Sequence, residues 1–151
     1  MSAAENKAVV RRLLEEAWNR GRLGAVAECL AEDAVLHLPA GPGSVPFGPA
    51  VQADVIAAWR TAFPDLRRAV ADLLVDGDKV IANVPLTGPH AGVLALGGRT
   101  IEPTGKSIHV RELLICQVAD GKIVELWATF DRLAVLEQLD RLPPATPGAL
   151  A

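Results

Sequence analysis

The stretch SIHVRELLICQVADGKIVELWATF, residues 107–130, decides the fold. Its apolar residues recur with a period of two, which predicts strands at residues 107–118 and 122–130. The tight-turn signal Ala119-Asp120-Gly121 separates them, so the two strands are expected to pair antiparallel. A second hairpin is predicted upstream, with strands at residues 68–75 and 79–86 around the turn Asp76-Gly77-Asp78.

The N-terminal half is predicted to be mainly helical. Apolar residues at helical spacing predict helices at residues 4–20, 23–30 and 50–62, and a short closing helix at about 133–139. Ser2 and Glu5 fit a capping box at the start of the first helix. A short strand is predicted at residues 34–38, and the Gly/Pro-rich residues 39–49 are expected to form a loop that sustains neither helix nor sheet hydrogen bonds.

The order of these elements indicates the fold class. Helices first and hairpin-linked strands afterwards favour an α+β cone, in which helices close a curved antiparallel sheet around a pocket. A chain of 151 residues fits one domain, which we expect at residues 1–142, with residues 143–151 as a flexible tail.

Composition argues against several functional classes. The net charge of −3 and the scattered basic residues disfavour a nucleic-acid partner. No apolar run approaches the roughly 18 residues of a membrane helix, and the start MSAAENK does not read as a signal peptide. We therefore expect no membrane partner and a cytoplasmic location.

Metal and phosphate sites are not indicated either. His37, His90 and His109 are far apart in the sequence and form no short ligand pair, and Cys29 and Cys116 are expected to be buried thiols. The glycines lack the sequence context of a phosphate-binding loop. The residues therefore predict neither a metal site nor a nucleotide site.

Several segments together carry a family resemblance. They are NKAVVRRLLEEAWNRG (residues 6–21), AFPDL (62–66), GDKVIANVPLTGPHAG (77–92), PTGKSI (103–108) and DGKIVELWATFDRLAVLEQL (120–139). In this order and spacing the chain resembles the SnoaL-like polyketide cyclase, or ester cyclase, family of the nuclear transport factor two-like superfamily. The resemblance covers about residues 6–139.

The resemblance implies a cone-shaped fold that is usually a homodimer through the outer sheet face and works without metal or organic cofactor. Members include ring-closing cyclases of polyketide secondary metabolism, and relatives act as hydroxylases, dehydratases, isomerases or epoxide hydrolases. The cyclases carry an acid within a pattern like His-Trp-Asp in the last long strand. Alignment through Trp127 places Leu126 at the histidine and Ala128 at the aspartate, and neither side chain can accept a proton.

Strand alternation offers another acid. If Ala128 faces the cavity, Leu126 and Phe130 face it too, and the preceding strand turns Glu112 and Leu114 inward. Desolvation would raise the pKa of Glu112 and suit it to general acid/base catalysis. The alternative is that Glu112 is a structural partner of a nearby Arg or Lys.

Other candidate site residues follow from their positions. His37 in the first strand is predicted to relay a proton with Glu112, or else to be a hydrogen-bonded wall residue. Asp131 matches a second acidic position of the family, and it also suits the N-cap of the closing helix. His90 lies in a turn near the expected cavity mouth, and His109 and Arg111 are assigned to the outer face. The predicted cavity residues are His90, Leu36, Trp59, Phe63, Leu114, Leu126, Ala128 and Phe130.

Three hypotheses about function stay open at this point. The first is a cofactor-independent enzyme, a lyase or isomerase of the polyketide cyclase type, acting on an apolar carbonyl compound as a cyclase, isomerase, dehydratase or hydrolase. The second is a non-catalytic binding or accessory protein that lost the family acid at Ala128. The third is a subunit whose dimer surface matters more than its cavity.

Overall fold

A computed structural model describes residues 1–40 and 42–142 of the chain. The flexible tail expected at residues 143–151 lies outside the described residues. The described part joins helices to one large, curved, open sheet, which confirms the predicted α+β fold.

The helical elements come first, apart from one that closes the chain. They are α1 (Ala3–Arg12), a π-helix that continues it (Leu13–Asn19), α2 (Gly24–Cys29), α3 (Pro49–Ala62) and α4 (Arg132–Gln138). The predicted capping box is present, because Glu5 N donates to Ser2 Oγ at 3.2 Å and Ser2 N donates to Glu5 Oε2 at 2.6 Å. The predicted helix at residues 4–20 is thus α-helical only in its first half.

The strands of the large sheet run in the spatial order β2-β1-β9-β8-β5-β3, and β4 also pairs with β5. Their ranges are β1 (Leu30–His37), β2 (Ser44–Pro46), β3 (Arg67–Arg68), β4 (Asp72–Asp76), β5 (Lys79–Pro89), β8 (Ser107–Ala119) and β9 (Lys122–Phe130). A separate hairpin consists of β6 (Leu94–Leu96) and β7 (Arg99–Ile101). All pairings are antiparallel except that of β1 with β9.

The turn between β8 and β9 has the conformation that its sequence favours. Asp120 and Gly121 have φ values of 50° and 78°. Positive φ at both central residues is the type I′ geometry that matches the twist of a two-residue hairpin. The hairpin aligns Glu112 with Phe130 and Leu114 with Ala128, which places these side chains next to each other on the inner face of the sheet.

Three local predictions differ from the structure. Ser44–Pro46, expected in a loop, pairs with β1 at the sheet edge, where a proline without an N–H is tolerated. The strand expected at residues 68–75 is split into β3 and β4. The β6–β7 hairpin was not predicted; its turn residues Gly97 and Gly98 both have positive φ.

Helices and sheet share one apolar core. Val10, Leu13, Ile56 and Cys116 are among its fully enclosed members, and both cysteines are free and buried as predicted. No helix in the described ranges is long and apolar enough to cross a membrane.

Candidate active site

A cavity of about 350 Å³ lies between the inner face of the sheet, the π-helix and α3. This volume falls within the usual range of small-molecule sites, which is roughly 300–1,000 Å³. Aromatic and aliphatic side chains form most of its wall. The lining includes Leu13, Leu14, Trp18, Leu36, Phe47, Val55, Trp59, Leu86, Leu96, Leu114, Leu126, Ala128 and Phe130.

An ion pair stands in this apolar wall. Arg68 Nη2 contacts Glu112 Oε1, and the two side chains are only 5% and 12% exposed. Arg68 belongs to β3 and Glu112 to β8, and β5 lies between these strands in the sheet. The long arginine side chain therefore reaches across one strand to place its positive charge beside the carboxylate.

The π-helix positions Arg68. Asn19 Nδ2 donates to the Arg68 carbonyl oxygen at 2.9 Å, and the Arg68 N–H donates to Asn19 Oδ1 at 2.7 Å. The guanidinium also lies over the Trp18 ring, 4.1 Å from its centroid. Backbone hydrogen bonds and a cation–π contact thus fix both ends of the arginine.

The charge state of the pair follows from opposing effects. Burial lowers the pKa of the Arg68 guanidinium, because desolvation penalises its charged form. The adjacent carboxylate opposes this effect, since each charge stabilises the other. The contact thus joins two buried groups of opposite formal charge.

Two further polar side chains reach the cavity. Gln52 on α3 is 4% exposed and lines the cavity from the helical side. Arg132, at the start of α4, also lines it and lies with its guanidinium carbon 5.9 Å from the centroid of the Phe130 ring. The cavity is thus apolar with a few separate polar groups, a pattern typical of small-molecule sites.

Aromatic rings define part of the wall. Trp59 stacks on Phe63 with centroids 5.7 Å apart and meets Phe130 edge-on at 5.6 Å. Of these three rings, Trp59 and Phe130 line the cavity, whereas Phe63 is completely buried behind Trp59. Phe63 therefore supports the wall from behind, and the prediction that it lines the cavity is wrong.

Comparison with known proteins identifies the family. The sequence profile of the SnoaL-like polyketide cyclase family matches residues 8–139. The chain belongs to this family. No curated protein sequence is significantly similar to the chain.

Solved SnoaL-like structures agree with this assignment. IdmH from Streptomyces antibioticus, described as a candidate polyketide cyclase, is 32% identical with a TM-score of 0.74, over 89% of this chain and 98% of its own. A candidate SnoaL-like polyketide cyclase from Jannaschia sp. CCS1 is 26% identical with a TM-score of 0.80, over 95% and 98%. AclR from Streptomyces galilaeus, a candidate hydroxylase, is 27% identical with a TM-score of 0.80, over 99% and 89%.

Leu126 and Ala128, which the sequence alignment places at the cyclase histidine and aspartate, both line the cavity. At these two positions the SnoaL-like cavity of this chain is therefore apolar. Among the described residues that line the cavity, Glu112 is the acidic one. The inward orientation of Glu112 predicted from strand alternation is confirmed. The anticipated structural partner is also present, because Arg68 binds Glu112 directly.

His37 lies on the outer face, which differs from its predicted place beside Glu112. Its Nε2 is 2.8 Å from Glu125 Oε2, and its ring stacks on Trp127 with centroids 4.4 Å apart. The neighbouring Leu36 lines the cavity instead. Since successive strand residues face opposite ways, His37 cannot pass a proton to Glu112 within the cavity.

Asp131 caps the last helix. Its Oδ1 accepts a hydrogen bond from the Ala134 N–H at 2.9 Å, which is the capping interpretation of this residue. It does not line the cavity, so the structure gives no support to a catalytic role.

His90 is fully buried outside the cavity, contrary to its predicted position at the cavity mouth. Its Nδ1 accepts a hydrogen bond from the Thr104 N–H at 3.2 Å and lies 3.0 Å from Thr104 Oγ1. Burial lowers the pKa of this imidazole. The segment beside it docks on α3, because the Ala91 and Gly92 N–H groups both donate to the Ala62 carbonyl.

The remaining polar groups do not form a recognisable metal centre. Within residues 1–40 and 42–142, no group of three or more His, Cys, Asp or Glu side chains is arranged to hold a metal ion. His109 and Arg111 are exposed on the outer face, as predicted, where they line a shallow hollow with Pro85 and Val110.

Sequence reasoning missed Arg68 and Gln52. In the sequence pattern Arg68 is only the first residue of a predicted strand, and nothing in that pattern indicates a reach across β5. Gln52 could have been found, because it shares a helix face with Val55, Ile56 and Trp59 and is the polar member of that apolar stripe.

Proposed function

We propose that this SnoaL-like chain is an enzyme that acts on an apolar carbonyl compound related to polyketides, by acid/base chemistry without a metal or organic cofactor. The supporting observation is the Glu112 carboxylate, held by Arg68 in the wall of an otherwise apolar cavity. A carboxylate in such surroundings is a candidate general base, because little water solvates it in competition with the substrate.

The proposed reaction begins with proton removal. Glu112 takes a proton from the carbon next to a ketone, the C–H electron pair moves into the new C=C bond, and the carbonyl oxygen takes up negative charge. In a cyclisation, this enolate carbon then bonds to a second carbonyl carbon of the same molecule. The resulting alkoxide recovers the proton from Glu112, so the enzyme ends in its starting state.

Arg68 has a positioning role in this proposal. Its contact with one oxygen of the Glu112 carboxyl group fixes the direction of the other oxygen. The apolar wall excludes water from the enolate. Rings such as Trp59 and Phe130 suit a flat or cyclising substrate.

A test of the proposal does not require the natural substrate. 2-Tetralone is an apolar bicyclic ketone whose α-protons exchange in D2O when a base removes them, and NMR follows this exchange directly. We expect the protein to accelerate the exchange and Glu112→Gln to reduce the acceleration by about 100-fold or more, the lower range for a general base. His37→Gln, on the outer face, is the matched control and should keep the wild-type rate.

The second candidate function is a binding or accessory protein. The apolar Leu126 and Ala128 and the paired state of Glu112 favour it. This function predicts that 2-tetralone binds in the cavity while its exchange rate equals that of free 2-tetralone.

We also propose that the chain forms a homodimer through the outer sheet face. Leu74, Ile81 and Leu113 are 61%, 37% and 55% exposed there and lie on adjacent strands. A second copy would cover these apolar side chains. Analytical ultracentrifugation should show a dimer for the wild type and a monomer for Leu113→Lys.

A further inference from the structure

Gln52 is a polar residue at a position where helix packing favours an apolar one. On α3 it shares a face with Val55, Ile56 and Trp59, which are all apolar and face the core or the cavity. Gln52 itself is 4% exposed. A buried glutamine in an apolar stripe destabilises a protein unless its amide is hydrogen-bonded.

No such partner is present in the described part of the chain. The Gln52 amide makes no hydrogen bond to a described residue, and Gln52 lines the cavity. Asn19, the comparable amide on the π-helix, instead makes two hydrogen bonds to the Arg68 backbone. Gln52 therefore differs from an ordinary structural amide.

We propose that Gln52 binds the carbonyl oxygen of the substrate. This inference rests on the proposed function and names the polar contact that the function requires. Arg68 is already bound to Glu112, whereas the Gln52 amide is a neutral donor and acceptor without a protein partner in the described residues. Its N–H group donates to the oxygen while Glu112 acts on the neighbouring carbon from the sheet side.

This assignment gives Glu112 and Gln52 different roles. When Glu112 removes a proton, negative charge develops on the carbonyl oxygen, and a preorganised donor stabilises that charge. The ligands of this cavity therefore carry a hydrogen-bonding oxygen on an apolar ring or chain. An isosteric hydrocarbon leaves the buried amide without a partner and is disfavoured.

The test is a binding cycle with two non-reacting probes. 2-Naphthol has the shape of the 2-tetralone enol, and 2-methylnaphthalene replaces its hydroxyl with a methyl group. Equilibrium dialysis gives both dissociation constants for the wild type and for Gln52→Met, which keeps the side-chain length without the amide. We expect the ratio of the constants to move by about tenfold toward 2-methylnaphthalene in Gln52→Met, the loss of one hydrogen bond in a buried site.

Stability measurements separate this role from a structural one. If the amide serves a ligand, Gln52→Met should melt at or above the wild-type temperature, because it removes an unpartnered buried amide. A lower melting temperature together with an unchanged ratio of dissociation constants would overturn the proposal. Gln52→Glu provides a second variant of the same shape, which loses the amide N–H donors but keeps an oxygen that can accept from the naphthol O–H, so it should retain more preference for 2-naphthol than Gln52→Met.

The result does not depend on catalysis. The two probes do not react. If the wild-type protein fails to accelerate 2-tetralone exchange, the proposed function is wrong, but the ratio of the two dissociation constants is unaffected. An unchanged ratio in Gln52→Met would defeat the role of Gln52 while leaving the Glu112 test intact.

Discussion

Arg68 of β3 reaches across β5 to bind Glu112 of β8 on the inner face of the sheet, and both side chains are almost fully buried. Two opposite charges thus lie in contact within the cavity wall. A buried ion pair contributes little net stability compared with apolar residues of similar volume, yet removing one partner is costly because the other charge is left uncompensated.

The first prediction concerns the stability cost of removing one partner of the Arg68–Glu112 pair. Arg68→Met should lower the free energy of unfolding by about 3–5 kcal/mol, whereas the double variant Arg68→Met with Glu112→Met should recover most of the loss. Urea denaturation of the wild type, both single variants and the double variant measures this cycle. A cost below about 1 kcal/mol for Arg68→Met would mean that the pair is well solvated in solution.

The second prediction concerns pH and His90. Because burial lowers the pKa of His90, the unfolded chain takes up a proton at a pH where the native chain does not. The contribution of neutral His90 to the free energy of unfolding should therefore be fully present at pH values above the unfolded-state pKa of about 6.5. Below that pH it should be lost by at most about 1.4 kcal/mol per pH unit.

The variant His90→Asn isolates this effect. Asparagine offers an oxygen that can replace Nδ1 as acceptor for the Thr104 N–H, but it does not titrate. Denaturation at pH 7.5 and pH 5.5 should show a smaller stability loss for His90→Asn than for the wild type. Equal losses would assign the pH dependence to other groups.

The third prediction separates capping from catalysis at Asp131. Asp131→Ala should cost about 1 kcal/mol, because the Ala134 N–H at the start of α4 loses its acceptor. Asp131→Asn should retain most of the stability. The 2-tetralone exchange rate should be the same in both variants, and a large decrease in both would return Asp131 to the catalytic residues.

The fourth prediction concerns the apolar position Ala128. Ala128→Leu projects a larger side chain into the cavity and should weaken 2-naphthol binding by at least about tenfold. This corresponds to a free-energy change larger than that of transferring one methylene group out of water. Thr129→Leu, one residue later and on the outer face, is the matched control. Equal affinities in the two variants would indicate that 2-naphthol binds outside this cavity.

The sequence predicted the parts of the site that depend on regular alternation. Residues of β8 and β9 keep a period of two across the hairpin, so the inward orientation of Glu112 followed from that of Ala128. The same alternation contradicts the prediction for the first strand. Leu36 and His37 are adjacent and face opposite sides of a strand, so they could not both line the cavity, and the apolar residue faces inward.

Long-range contacts could not be predicted from local pattern. The Arg68–Glu112 pair depends on β3 being a separate short strand next to β5, whereas the sequence pattern predicts one longer strand at residues 68–75. The π-helix could not be read from the apolar spacing, although it carries Trp18 and Asn19, which position Arg68. Helix periodicity alone could have identified Gln52.

A crystal structure with 2-naphthol bound would test the central claim most directly, namely that substrate reaches the Glu112 carboxylate inside the cavity. Our account predicts the naphthol oxygen within hydrogen-bond distance of the Gln52 amide, and the adjacent ring carbon about 3–3.5 Å from a Glu112 oxygen, as in a reactive complex. A ring that lies elsewhere, with Glu112 enclosed by Arg68 and untouched by the ligand, would contradict it.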